Sequence, residues 1–239
     1  MDIQQIDGWE SSPSGGWQWR DSWQGGKDPS DGNSVDVCFT GKGLPRDPGE
    51  AASLLLPGDV EGAWLKQVHG ADVLDAGPGN CGEGDGLVTD RLRLGLGIVT
   101  ADCVPVLLAD ETQVAAVHAG WRGVVGRVVV HAAERFPSGP AIAWVGPAIS
   151  GEVYEVSDEV ADQVVASAND SVRLPGQGER PHVDLQRAVE IQLETRWNVE
   201  IRRVPGCTLT MPDRLWSYRR EGVDAGRNMS WIWRRPTSA

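Results

Sequence analysis

The apolar residues of this 239-residue chain are grouped into short runs, and this grouping limits the folds available to it. From Val35 onwards each run has the length of a strand and is bounded by Gly, Pro, Asp or Ser. Runs of this kind are typical of β-strands separated by turns. The predicted strands cover residues 35–40, 63–68, 96–100, 104–109, 113–118, 141–145, 200–204 and 229–233.

Three further segments repeat apolar residues at helical spacing, namely 121–136, 156–167 and 184–197. Pro137 ends the first of them, because proline cannot continue a helix. Ser157 and Asp184 stand where the N-caps of the second and third belong. Strand clusters interrupted by helices predict a mixed α/β fold of the α+β type rather than a regular βαβ series.

Residues 1–34 differ in composition from the rest of the chain. They are rich in Gly, Ser, Asp and Gln, yet they contain Trp9, Trp17, Trp19 and Trp23. A solvated tail rarely keeps four indoles, each of which buries a large apolar area when it docks. We therefore interpret 1–34 as an N-terminal arm, with docked and free forms both open. Residues 35–239 contain no linker and are predicted to form one domain.

Charge and hydropathy exclude several classes of function. The chain carries 34 acidic against 22 basic side chains, a net charge of −12, so polymeric nucleic acid and anionic membranes are not expected partners. No run of about eighteen apolar residues exists, and the first residues lack the pattern of a signal peptide. The sequence predicts a cytoplasmic protein, and its oligomeric state is not indicated.

Three side chains that bind soft metals lie at predicted strand ends beside glycine or proline. They are His69 before Gly70, Cys103 before Val104-Pro105, and His118 before Ala119-Gly120. Two imidazoles and a thiolate would leave a fourth position open, as in catalytic zinc sites. The same donors suit copper, so the metal is not decided. Single His and Cys residues are also common in cores, and the spacing alone leaves that alternative open.

The motifs around these residues occur in a specific order along the chain. They are Gln67-Val68-His69-Gly70, Asp85-Gly86-Leu87-Val88-Thr89, Ala101-Asp102-Cys103 with Pro105, and His118-Ala119-Gly120-Trp121-Arg122-Gly123. Together they resemble the YfiH-type laccase-domain family. Members of this family are labelled polyphenol oxidase, purine nucleoside phosphorylase or peptidoglycan editing factor.

The resemblance implies a fold, a metal and a chemistry. The implied fold is a four-layer α/β/β/α sandwich, and the implied zinc is held by His69, Cys103 and His118. The implied substrates are purine nucleosides, with phosphorolysis of adenosine, inosine or methylthioadenosine and deamination of adenosine. Nucleoside and phosphate are therefore the expected small-molecule partners.

Roles for individual side chains follow from that chemistry. Asp102, Cys103 and His118 are the catalytic candidates; Asp102 can orient a ligand or accept a proton, or it can simply cap a turn.

Phosphate needs a local cluster of positive charge. Arg122 stands at a predicted helix start, where an anion is favoured. Arg219 and Arg227 of the C-terminal segment can complete a phosphate site, although one of Arg219 and its neighbour Arg220 is expected to be structural. Trp121 is a candidate aromatic wall for a purine, with core packing as the alternative.

The chain also departs from the family pattern before the first histidine. Family members usually carry an arginine in the segment that corresponds to Phe39-Thr40-Gly41-Lys42-Gly43, and this chain lacks that arginine. Only a short loop then leads to Trp64. Lys42 could restore the charge but lacks the planar fork of arginine.

Three other functions remain open at this stage. Cys103 could act as a nucleophile, with His118 as base, in an amidohydrolase that edits peptidoglycan precursors. A copper polyphenol oxidase would need several coppers, more than one His₂Cys site holds. A binding module could use zinc only to organise its loops.

Overall fold

The computed structural model describes residues 8–11, 16–24, 33–176 and 178–236. Within these ranges the chain forms fifteen strands and six α-helices. The strands are β1 (Glu10–Ser11), β2 (Trp17–Gln24), β3 (Asn33–Thr40), β4 (Glu61–Lys66), β5 (Val73–Asp75), β6 (Gly79–Glu83), β7 (Gly86–Thr89), β8 (Leu94–Thr100), β9 (Val104–Ala109), β10 (Val114–Ala119), β11 (Ile142–Val145), β12 (Arg173–Leu174), β13 (His182–Val183), β14 (Glu200–Arg203) and β15 (Asn228–Pro236). The helices are α1 (Pro48–Leu55), α2 (Trp121–Val125), α3 (Val128–Ala133), α4 (Asp158–Ser167), α5 (Leu185–Glu194) and α6 (Tyr218–Glu221).

Two mixed sheets organise the described part of the chain. The first has the order β1-β2-β3-β15-β8-β4-β6, and the second has the order β14-β11-β9-β10-β7-β5. Most neighbours are antiparallel, but β4 pairs in parallel with β6 and β8, β11 with β14, and β5 with β7. The predicted mixed α/β class is therefore confirmed.

The two sheets divide the hydrophobic core into three clusters. One cluster fills the space between them, with Phe39 and Ile98 of the first sheet and Leu107 and Trp144 of the second. A second cluster packs α2 to α5 against the outer face of the second sheet. A third, which includes Trp231 and Leu55, lies between the first sheet and α1. The central strands β8, β15, β9 and β10 are thus buried on both faces, which explains the nearly continuous apolar sequences of β8, β9 and β10.

All eight predicted strands exist, with bounds shifted by a few residues. The predicted N-caps are also confirmed, because Ser157 accepts from the amide of Val160 and Asp184 accepts from that of Arg187. The segment between Gly43 and Trp64, predicted as a short loop, contains helix α1, whose N-terminus is capped by Asp47. None of the described helices has the length and apolar character needed to cross a membrane.

The prediction of one continuous helix over residues 121–136 is wrong. Helix α2 stops at Val125, and α3 begins only at Val128. Between them Arg127 adopts a left-handed backbone with φ of 60°, and a right-handed α-helix cannot continue through that conformation. The apolar spacing continues across the break because Val128 and Val129 still pack on the second sheet. The buried face of this segment therefore continues across the break, although the helical backbone hydrogen bonds do not.

The described residues of the N-terminal arm pack on the body. Strand β2 pairs with β3 along its full length. Trp9 is fully buried, and its indole N–H donates to the carbonyl of Pro205 over 2.7 Å. The side chain of Asp21 accepts from the indole of Trp144 at 2.8 Å and from Arg202 at 2.7 Å. Residues 1–7, 12–15 and 25–32 of the predicted arm lie outside the described residues.

We expect Asp21→Ala to destabilise the protein by about 1–3 kcal/mol, because it leaves the buried Trp144 indole N–H without a partner. Urea unfolding at neutral pH measures the change. The matched control is Asp162→Ala, which removes only an exposed ion pair to Arg173 and should cost less than about 1 kcal/mol. Equal effects of the two substitutions would contradict the assignment.

The same contact has a defined pH dependence. Burial raises the pKa of Asp21, but hydrogen bonds from Trp144 and Arg202 outweigh it and the net pKa lies below the ordinary 3.8. A carboxylate with a lowered pKa stabilises the fold above its unfolded-state pKa and loses that contribution as the pH falls through the folded-state value. The stability difference between the wild type and Asp21→Ala should therefore shrink in acid below about pH 4.

Candidate metal centre and its cavity

Three different stretches of chain bring His69, Cys103 and His118 together. His69 follows β4 of the first sheet, and His118 lies within β10 of the second. Cys103 occupies the turn where the chain crosses from β8 in the first sheet to β9 in the second. Their ligand atoms all lie within 4.8 Å of one another. The cluster therefore forms at the junction of the two sheets.

A buried carboxylate orients His118. The Nδ1 atom of His118 lies 2.7 Å from Asp85 Oδ1, and both side chains are excluded from solvent. This contact leaves Nε2 as the nitrogen available to a metal. Carboxylate–histidine pairs of this kind hold the ring and its tautomer in metal sites. Asp85 belongs to one of the motifs shared with the family, but the sequence alone did not suggest that it orients His118.

The same carboxylate also shapes the loop that carries His69. Asp85 accepts hydrogen bonds from the backbone amides of Val68, His69 and Gly70 at 3.3, 3.0 and 2.6 Å. His69 adopts a left-handed backbone with φ of 59°, which a non-glycine residue holds only when its surroundings impose it. Asp85 thereby fixes two of the three ligands at once.

The groups of the cluster favour the charged forms of Cys103 and His118. Burial raises the pKa of the Cys103 thiol, but hydrogen bonds with His118 and His69 outweigh it and lower the pKa to about 7. Burial lowers the pKa of His118, whereas Asp85 and Cys103 raise it by more, to about 9. A thiolate is the form of cysteine that binds metals.

The donors and the space between them fit a metal ion. Within the described chain this is the one group of His, Cys, Asp and Glu side chains whose ligand atoms converge in this way. A Cβ added at Gly120 would lie 3.1 Å from both Cys103 Sγ and His69 Cδ2 and 3.9 Å from His118 Cε1. Glycine at this position therefore keeps open the space that the three ligands surround.

The cluster lies in a cavity of about 690 Å³. Both tyrosines of the chain, Tyr154 and Tyr218, line it. Neither was singled out as a site residue from sequence, because tyrosine carries no spacing signal. The remaining lining residues are Leu65, Lys66, Gln67, His69, Val99, Thr100, Ala101, Asp102, Cys103, His118, Arg219 and Arg227.

Two of the predicted arginines reach this cavity and one does not line it. Arg219 and Arg227 line the wall, whereas Arg122 stacks over the ring of Trp121 at 4.3 Å. Trp121 itself is partly buried against the core on the helix side and does not line the cavity. Among the described residues, no carboxylate forms an ion pair with Arg122, Arg219 or Arg227.

The other candidate cations are used within the fold. Arg220 donates to the carbonyls of Thr208, Leu209 and Leu215 at 2.6 to 2.8 Å, so it is structural. Lys42 pairs with Glu221 at 3.0 Å and does not line the cavity.

The oxygens of Asp102 are both occupied. One accepts from the Thr208 hydroxyl at 2.6 Å and the other from the backbone amide of Arg219 at 2.7 Å. Asp102 lines the cavity beside Cys103, but its carboxylate is held by protein groups.

The fold and the His₂Cys centre define a laccase-domain protein. Residues 51–235 match the family described as multi-copper polyphenol oxidoreductase laccase, and the chain belongs to this family. A purine nucleoside phosphorylase of Mycobacterium tuberculosis is 42% identical over 194 residues, covering 77% of this chain and 76% of the relative. The purine nucleoside phosphorylase YfiH of Escherichia coli is 34% identical over 180 residues, covering 71% and 72%.

Solved structures share the fold. YlmD from Geobacillus stearothermophilus superposes with a TM-score of 0.75 at 24% identity and covers 96% of this chain and 100% of its own. A Neisseria meningitidis protein superposes with a TM-score of 0.71 at 26% identity, covering 90% and 99%.

We expect Gly120→Ala to weaken metal binding by about tenfold or more, because the new methyl group would press on Cys103 and His69. Competition with a chromophoric chelator measures the affinity for zinc. Gly58→Ala is the control, since a Cβ there meets no atom within 4 Å. If the two variants bind zinc equally well, the cluster is not the metal site.

Proposed function

We propose that this chain is a zinc-dependent purine nucleoside phosphorylase acting on adenosine, inosine and methylthioadenosine. One observation carries the proposal: a single cavity holds the His₂Cys cluster, two arginines without carboxylate partners among the described residues, and both tyrosines of the chain. The names of the relatives support the same activity. The cytoplasmic location predicted from the sequence is part of the proposal.

The size of the cavity suits a nucleoside with phosphate. Small-molecule sites commonly enclose about 300–1,000 Å³, and this one encloses about 690 Å³. Its walls combine aromatic rings, aliphatic side chains and a few polar groups. This composition supports a ligand with a flat apolar base and a polar sugar.

Phosphate would bind at the two arginines. Arg219 is exposed and Arg227 is half-buried, and both keep guanidinium N–H groups directed to no carboxylate of the described chain. Arginine is well suited to phosphate because its planar fork can donate two parallel hydrogen bonds. A local positive site is consistent with the net charge of −12, which describes only the average of the surface.

The tyrosines would contact the purine. Burial and the nearby Cys103 thiolate outweigh the lowering effect of Arg219 and raise the pKa of Tyr154 to about 12, so the phenol is neutral at physiological pH. A neutral phenol can donate a hydrogen bond to a ring nitrogen of the purine. Tyr218 is half-exposed at the same cavity, where its ring can cover the base.

The reaction requires the bound phosphate to attack C1′ of the ribose while the C1′–N9 bond breaks. The electron pair of that bond passes to the purine, and a hydrogen-bond donor such as Tyr154 stabilises the negative charge that develops there. Arg219 and Arg227 would hold the phosphate oxygens toward C1′, which places the attacking group in position. A zinc or copper ion held by His69, Cys103 and His118 would supply Lewis acidity at this end of the cavity.

Two other activities compete with the proposed phosphorolysis. Deamination of adenosine would use the same cavity without phosphate. A polyphenol oxidase with several coppers is not favoured, because the described residues offer one converging ligand group.

The amidohydrolase function has one observation in its favour. The pKa of Cys103, lowered to about 7 by the two imidazoles against the effect of burial, is also what a nucleophilic cysteine needs. In that mechanism the thiolate would attack an amide carbonyl of a peptidoglycan precursor, the C–N bond would break with His118 protonating the leaving amine, and water would hydrolyse the resulting thioester. Zinc would inhibit this reaction by binding the thiolate. Zinc-dependent activity thus separates the two functions.

The decisive experiment incubates zinc-loaded protein with adenosine, inosine and methylthioadenosine, each with and without phosphate, and identifies the products by chromatography. We expect free base and the corresponding ribose 1-phosphate only when phosphate is present. Ammonia release from adenosine without phosphate would instead establish deamination. Inactivity on all three nucleosides, in a folded and zinc-loaded sample, would refute the proposal and leave the amidohydrolase and the binding module.

We expect Arg219→Met to raise the KM for phosphate by about 10- to 100-fold, the loss typical of a hydrogen bond to a charged group. The KM for the nucleoside should change much less. Arg196→Met, at an exposed arginine away from the cavity, is the control. An unchanged KM for phosphate would remove Arg219 from the anion site.

A further inference from the structure

Asp102 joins two parts of the cavity wall that are far apart in sequence. It follows β8 and precedes Cys103, so its backbone belongs to the metal side of the cavity. Its carboxylate partners, Thr208 and Arg219, lie 106 and 117 positions later in the chain. Those two residues belong to the C-terminal segment that carries the opposite wall.

The backbone of Asp102 is held in an unusual conformation. Its φ is 94°, in a region that favours glycine, and its carbonyl accepts from the amide of Ile149 at 3.0 Å. Glycine would adopt this conformation with less strain but would offer no carboxylate. An aspartate at this position therefore indicates that the side chain is needed for its two contacts.

The partners of Asp102 are themselves firmly held. The amide of Thr208 donates to the carbonyl of Ala148 at 3.0 Å, and the carbonyl of Thr208 accepts from Arg220 at 2.6 Å. The guanidinium of Arg219 donates to the carbonyl of Glu155 at 3.1 Å and lies over the ring of Tyr154 at 5.3 Å. Asp102 is the link from this network to the Cys103 turn.

Both oxygens of Asp102 take part in short contacts with groups of the protein. One accepts from the Thr208 hydroxyl at 2.6 Å and the other from the Arg219 amide at 2.7 Å, as an ionised carboxylate can. This geometry suits a fixed connection between the Cys103 turn and the C-terminal segment.

We infer that Asp102 is a positioning residue, which holds Arg219 and Tyr218 at a set distance from the Cys103 side of the cavity. The inference rests on the proposed function in so far as Arg219 binds the phosphate. It deepens that proposal by stating how the anion site and the metal site are held in a fixed relative position.

Asp102→Asn separates positioning from proton transfer. The amide oxygen of asparagine can accept from the Arg219 amide, and its NH₂ can donate to the Thr208 hydroxyl, which can act as an acceptor. Asparagine also tolerates positive φ. Both links are thus kept while the ability to carry a proton is lost. Asp102→Ala removes both links.

We expect kcat/KM of Asp102→Asn to stay within about tenfold of the wild type. Asp102→Ala should lose about 100-fold, mainly through a higher KM for phosphate, because a misplaced binding group costs about this much. An acid or base role would instead lower kcat of Asp102→Asn by about 10²- to 10⁴-fold. That result, or an unchanged KM in Asp102→Ala, would overturn the inference.

A second measurement needs no turnover. Amide hydrogen exchange of residues 217–221 should match the wild type in Asp102→Asn and speed up in Asp102→Ala, where the Arg219 amide loses its acceptor. Asp110→Ala is the control, since Asp110 caps a distant turn through the amides of Thr112 and Gln113. Unchanged exchange in Asp102→Ala refutes the positioning role. Absence of turnover in the wild type refutes only the proposed function.

Discussion

The buried carboxylate of Asp85 is the contact on which the functional site depends. A carboxylate excluded from water is tolerated only when its oxygens are hydrogen-bonded, and here His118 and three backbone amides supply the donors. The net effect of these donors lowers the pKa of Asp85 against burial, which raises it. The ionised group holds the ring of His118 and the left-handed backbone of His69 together. Two ligands from two different sheets thereby acquire a fixed relation.

The packing of the sheets determines where that site lies. Strand β8 belongs to the first sheet and β9 to the second, so the crossing turn between them carries Cys103 to the edge where β4 and β10 also end. The apolar cluster between the sheets keeps those ends in place. A second link, through Asp102, brings the C-terminal segment with Arg219 against this edge. Asp85 thus links the two histidine ligands, and Asp102 links the Cys103 turn to the C-terminal segment, whose strand β15 also pairs with β8.

Local pattern predicted much of the fold and less of the site. Strand-length apolar runs gave eight correct strands, and Ser157 and Asp184 marked two helix starts, because burial and capping act within a few residues. The break at Arg127 escaped the pattern, since the same residues face the sheet on both sides of it. The ligand residues were proposed from their types and from family resemblance. The roles of Tyr154, Tyr218 and Asp85 were not anticipated, because their contacts with the cavity and with His118 involve residues far away in the chain.

The amino-acid sequence by itself determined the kinds of donor available, the alternation of strands and helices, and membership of the laccase-domain family. Only the tertiary structure decided which charged groups face the cavity. Arg219 and Arg227 line it while Arg122 stacks on Trp121, and Arg220 is used to hold backbone carbonyls. The physical reason is that each of these outcomes depends on partners far away in the chain. Hydrogen bonds such as that between Asp102 and Arg219 exist only after the two sheets have packed.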